Sequence, residues 1–114
     1  MTDTDGHTPA FGTNEHAALI TEGRHQGVRD ALLWLTFAHL PVSLQRYSEP
    51  FYETAVRLVV QNETDSPELT TSLNKLIEAK DSAVRAGIKN DQGKAGSVPR
   101  PKTVVDPPAF GQAD

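Results

Sequence analysis

Lys80 stands where a core residue is expected. The stretch Asp65–Ile88 carries Leu69, Leu73, Leu76, Ile77, Ala83, Val84 and Ile88 at helical spacing. At roughly 100° per residue, Lys80 falls near the middle of that apolar stripe. An ammonium directed at its own core is costly unless an anion meets it. Two readings follow. Lys80 lays its stem along apolar neighbours and reaches water or an acid such as Glu53. Alternatively, it lines a pocket between helices or subunits and meets a phosphate. Arg85, Lys75 and Arg57 are further cations on the same pair of helices. His39, Tyr47 and Phe51 could stack on a base or hydrogen-bond to it, although each also suits a plain core.

Other chemistries have less to work with. The four histidines, His7, His16, His25 and His39, form no i, i+4 pair and no HxxEH-type arrangement, so no metal site is expected. There is no cysteine, which excludes disulfides and thiolate ligands. No GxSxG or acid–histidine–serine context supports a nucleophile. Glu78 and Asp81 share a helix face with Lys75, Arg85 and Lys89, the pattern of an exposed, ion-paired surface. The GKAGS stretch at 93–97 follows no strand and opens no helix, so it is not a phosphate loop. The helix starts near Ser48 and Ser66 could attract an anion, as any helix start can. A binding protein without a cofactor is expected, rather than an enzyme.

Composition narrows the partners. The 114 residues hold 11 basic and 15 acidic side chains, a formal net charge of −4. Bulk charge therefore argues against a duplex DNA binder. No long apolar run or basic-plus-apolar leader is present, which predicts a soluble chain without a membrane partner that stays in the cytosol.

Three elements are expected to position these side chains. Residues 1–13 are polar and turn-rich and read as a disordered tail. A first helix starts with Thr13 or Asn14 as cap and runs to Leu40, with a possible break near Gly23 and Gly27. Its second half, ALLWLTFAHL, is apolar on every side. Pro41 ends it, VSLQRYSE forms a connection, and Ser48, Glu49 and Pro50 signal a new start. The next helix, FYETAVRLVVQN, presents Phe51, Ala55, Leu58 and Val59 on one face, with Val56 and Val60 on another. NETDS then turns the chain into the helix of Lys80, capped by Asp65 or Ser66, with Pro67 and Glu68 in its first turn. The result is an antiparallel helical hairpin. Residues 93–114, rich in proline and glycine, read as an irregular tail.

The fold class expected is all-α: one small helical domain over residues 14–92, built on that hairpin. It has more apolar faces than a single helical layer can hide, and its size is marginal for a lone core. A homo-oligomer follows, with ALLWLTFAHL and the Val56/Val60 face in subunit contacts and a dimer as the simplest assembly.

The order FxxxAxxLV (Phe51 to Val60), SPELT (Ser66 to Thr70) and LxKLxEAKDxAVRA (Leu73 to Ala86) resembles the hairpin domain of small phage anti-defence proteins. FAHLPVSLQRYSEPF (Phe37 to Phe51) resembles the segment before the hairpin in members from actinobacterial phages. The resemblance covers about residues 35–90, and LIEAKDSAVRA is its most specific portion. Members include sponges that counter the CBASS and Thoeris defences by sequestering cyclic oligonucleotides or cyclic ADP-ribose-type signals without cleaving them. The resemblance implies a compact homo-oligomer, often a hexamer, holding ligand between protomers in the host cytoplasm. It assigns no pocket residue. Joined to it, the residue reading places Lys80 and Arg85 on phosphates, with His39, Tyr47 and Phe51 near the base and Lys75 and Arg57 as supporting cations. The alternative is a helical module that binds a host or phage polypeptide in an apolar groove.

Overall fold

The structure is a computed structural model, and it describes residues 8–93. The described chain is all-α, with α1 (Asn14–Ile20), α2 (Gln26–Trp34), α3 (Val42–Gln61) and α4 (Pro67–Gly93) in order. Of the tails expected over 1–13 and 93–114, residues 1–7 and 94–114 lie outside the described residues, and Gly93 belongs to α4. Residues 8–13, in the stretch expected to be disordered, lie against the core. Phe11 packs edge-on to Tyr52, and the Gly12 carbonyl accepts from both the Phe37 and Ala38 N–H groups.

α1 begins as its sequence predicts: the Thr13 hydroxyl accepts from the His16 N–H at 3.1 Å. The first helix breaks where Gly23 and Gly27 suggested, and α2 starts with the His25 ring as cap, its Nδ1 accepting from the Gly27 N–H at 3.0 Å. The expectation of a helix running to Leu40 is corrected, because α2 stops at Trp34. The cause is tertiary. The N–H groups of Phe37 and Ala38 are taken by the Gly12 carbonyl, which pulls the chain out of the helix and seats Phe37 in the core. Gly12 has a positive φ of 88°, and a Cβ there would run into the Phe37 ring, so this approach needs glycine.

The expected connection VSLQRYSE is corrected too. α3 starts at Val42, directly after Pro41, and carries Pro50 in its interior. A proline after Ser-Glu looks like a first-turn residue, but here it forgoes one helical hydrogen bond mid-helix, at a cost of about 3 kcal/mol in an exposed setting. What offsets that is packing. Ser48, Tyr52, Ala55 and Val59 recur at helical spacing and are all buried, chiefly against α4. The Ser48 hydroxyl, expected as a cap, is instead buried with no hydrogen-bond partner among the described residues.

α4 starts at Pro67 with the Ser66 hydroxyl accepting from the Leu69 N–H at 3.1 Å. Between the two expected caps, Ser66 takes the role. Asp65 is engaged elsewhere, with Arg24 and the His25 N–H. The helix continues to Gly93, five residues past the expected end at Ile88. Leu69, Leu73, Lys80 and Gly87 form its buried line, with Leu76 and Ile77 packed beside it.

The core joins Val28, Ala31, Leu32 and Leu35 around α2 to Tyr52, Ala55 and Val59 of α3 and Leu69 and Leu73 of α4. Beside it, Phe11, His16, Phe37 and Tyr52 form an aromatic cluster, with ring centroids 5.0–6.0 Å apart. Among the described residues, no helix is long and apolar enough to cross a membrane.

Candidate functional site

Lys80 is placed by the register of α4. Leu73 is buried one heptad before it and Gly87 one heptad after it, so the rotation that buries those two also turns Lys80 inward. The residue is 8% exposed. Its Nζ lies 3.5 Å from an Asp81 oxygen, a long contact with the carboxylate next in sequence. Asp81 is half exposed, so this pair is a loose neutraliser rather than a locked ion pair. The acid suggested by the sequence, Glu53, lies 3.5 Å from Arg57 instead. The expected ion-paired face around Glu78 and Asp81 is corrected to that extent: Asp81 serves Lys80.

Lys80 opens onto a depression of about 360 Å³. α2 supplies Leu33 and Trp34, the following segment supplies Thr36 and His39, and Asn14 closes the wall from the start of α1. Trp34 is 69% exposed, a large apolar surface left in water. The Thr36 hydroxyl lies 2.9 Å from the Leu33 carbonyl and 3.1 Å from Asn14 Oδ1, and its single proton serves one of these acceptors at a time. A second depression of about 270 Å³ shares Asn14 and His39 with the first and continues toward Gly12 and Glu15. The arrangement offers a buried lysine with the Asp81 carboxylate beside it, an exposed indole, a histidine and an amide. Such a set suits a ligand with an anionic group and a flat ring.

Of the seven residues proposed from sequence, Lys80 and His39 line this depression together. The others lie elsewhere. Tyr47 packs on Gly87 and hydrogen-bonds through its hydroxyl to Asp91 at 3.0 Å. Phe51 is half-buried and packed on the core. Arg57 pairs with Glu53 on the exposed side of α3, and Lys75 and Arg85 are exposed on α4. Trp34, Asn14 and Asp81 were not among the seven. Trp34 read as an interface residue from its apolar context, and nothing local in the sequence marks Asn14, which arrives through the packing of α1.

A larger depression, of about 380 Å³, lies along α1. Glu15 and Glu22 outnumber Arg29 there, so its field is unfavourable to a phosphate. No group of three or more metal-ligating side chains occurs among the described residues. No family model matches this chain, and no curated protein or solved structure matches it either.

Proposed function

We propose that this chain binds and sequesters a cyclic nucleotide immune signal, a cyclic di- or trinucleotide or a cyclic ADP-ribose isomer, without cleaving it. The observation that carries the reading is Lys80, a buried lysine that lines a depression together with exposed Trp34 and His39. A phosphate meets Lys80, and a base lies on the indole. The geometry supports the place. The ligand class rests on the resemblance over about residues 35–90 to phage anti-defence hairpin proteins, and the host cytoplasm as its setting rests there too.

In this reading α3 and α4 are the antiparallel hairpin: Tyr47 near the start of α3 meets Gly87 and Asp91 near the end of α4. The protein works as a homo-oligomer. Val60, 64% exposed, is a surface a second protomer covers, and a protomer edge beside Trp34 closes the depression while leaving an indole face to the base. A monomer by light scattering at micromolar concentration overturns the assembly; a hexamer is what the resemblance implies.

The experiment is a thermal-shift screen of cyclic di- and trinucleotides and cyclic ADP-ribose isomers, followed by heating and mass spectrometry of the released ligand. One of them stabilises the wild type and is recovered intact, and Lys80→Ala removes the shift with the assembly unchanged. A cleaved ligand, or a shift that survives Lys80→Ala, overturns the reading. The same exposed apolar side chains support a second one, a helical module that binds a polypeptide. Then no nucleotide gives a shift, and a pull-down recovers a specific protein that Trp34→Ala loses.

A further inference from the structure

We infer that Asp81 selects guanine. The inference rests on the nucleotide reading above and concerns the base rather than the phosphate. In the free chain the Asp81 carboxylate lies 3.5 Å from the Lys80 ammonium, in the same depression as Trp34. A phosphate that takes Lys80 displaces this contact and leaves a carboxylate beside a second anion. Two like charges at that range repel, and the depression brings no other permanently charged cation among its lining residues. The site is therefore poor for a bare phosphate and good for a ligand that pairs its phosphate with a donor-rich edge. A carboxylate only accepts, and its two oxygens match two adjacent N–H donors. Among the four bases, guanine alone carries such a pair on its Watson–Crick edge, N1–H and the 2-amino group. Adenine presents its N1 lone pair beside a single amino group and meets Asp81 acceptor to acceptor.

The placement allows both contacts at once. Lys80 and Asp81 are consecutive on α4, and Trp34, at the end of α2, lines the same depression. A base lying on the indole turns its edge toward α4 while its phosphate remains within reach of Lys80. The neighbouring depression shares Asn14 and His39 with the first and is lined by Glu15 without a lysine or arginine, so it suits the uncharged base or ribose of a second nucleotide rather than its phosphate. Stacking holds a flat ring, and edge hydrogen bonds decide which ring it is.

The test is isothermal titration of the full chain with cyclic di-GMP, cyclic di-AMP and cyclic di-IMP, which keeps N1–H but lacks the 2-amino group. Cyclic di-GMP binds about tenfold or more tightly than cyclic di-AMP, in the range of a good bidentate base contact, with cyclic di-IMP between them. Asp81→Asn abolishes the preference by weakening cyclic di-GMP, while cyclic di-AMP binds as well or better because the repulsion is gone. Equal affinities, or a guanine preference that survives Asp81→Asn, overturn the role of Asp81 and leave the nucleotide site standing. Failure of all three to bind, with another cyclic nucleotide binding in a Lys80-dependent way, also overturns it. Failure of every cyclic nucleotide overturns both readings together.

Discussion

Arg24 Nε donates to Asp65 Oδ1 across 2.7 Å, tying the turn before α2 to the turn before α4. The same guanidinium donates to the carbonyls of Val59 and Asn62 at the end of α3, and the second Asp65 oxygen accepts from the His25 N–H at 2.7 Å. One planar fork thus caps a helix and locks two connections. Arg24→Ala lowers stability by about 2 kcal/mol, the scale of losing charge-assisted hydrogen bonds. Arg24→Lys recovers part of it at most, because a point charge cannot span three acceptors. Chemical denaturation of the three proteins checks this.

The pair also sets an acid limit. Hydrogen bonding to Arg24, with further help from the His25 N–H, holds the Asp65 carboxyl below its ordinary 3.8. The folded chain therefore resists a proton that the unfolded chain accepts. The stabilisation is complete above 3.8 and is lost as pH falls through the lower folded value. Asp65→Asn is less stable than wild type at neutral pH, and the gap closes in strong acid. A gap of constant size across that range contradicts the assignment.

His16 acts in a higher range. Its Nδ1 lies 2.7 Å from the Tyr52 hydroxyl, and burial lowers its pKa from the ordinary 6.5. The contribution of the neutral ring is present above 6.5 and declines as pH drops through the folded value. The melting temperature of wild type falls from pH 7 toward pH 5 more steeply than that of His16→Asn. Tyr52→Phe keeps the ring contacts with Phe11 and Phe37 and costs about 1 kcal/mol for the lost hydrogen bond.

Gly87 lies under the Tyr47 ring so closely that a Cβ would strike the near side of the ring. Alanine is the better helix former by about 1 kcal/mol, so an open site would gain from the change. Overpacking wins here. Gly87→Ala is destabilised, by about 1–2 kcal/mol net of that gain, because Tyr47 must leave Asp91. Tyr47→Ala in the same chain reverses the sign of Gly87→Ala, which a double-mutant cycle measures.

Ser48 is the opposite case. Its buried hydroxyl has no partner among the described residues. Ser48→Ala therefore raises stability, by up to about 1 kcal/mol, as desolvation of an unpaired polar group is relieved. A loss of stability would show that the hydroxyl holds a bound water.

Features set by neighbours in sequence could be read from the chain. The Thr13 cap, the break near Gly23, the Ser66 start and the stripe that contains Lys80 each depend on residues within a turn or two. What escaped depends on distant partners. ALLWLTFAHL keeps helical composition to its end, and only the Gly12 carbonyl, some two dozen residues earlier, stops α2 at Trp34. Ser-Glu-Pro reads as a start because the local pattern is identical, while packing of α3 on α4 makes it helix interior. The same limit holds at the candidate site. Lys80 was visible as a charge out of place and His39 as a candidate beside it, but Trp34 and Asn14, which line the same depression, come from two other segments.

The position of Trp34 has a practical consequence. It is the only tryptophan in the chain, and it stands largely in solvent at the rim of the candidate site. The protein therefore carries a single native fluorophore at the place where a ligand would arrive. With the site empty its emission is that of a water-exposed indole, open to collisional quenching by iodide. A base stacked on it quenches the emission, whereas an apolar partner shifts it to shorter wavelength and shields it from iodide. Colour and quenching together tell the two occupants apart without a label.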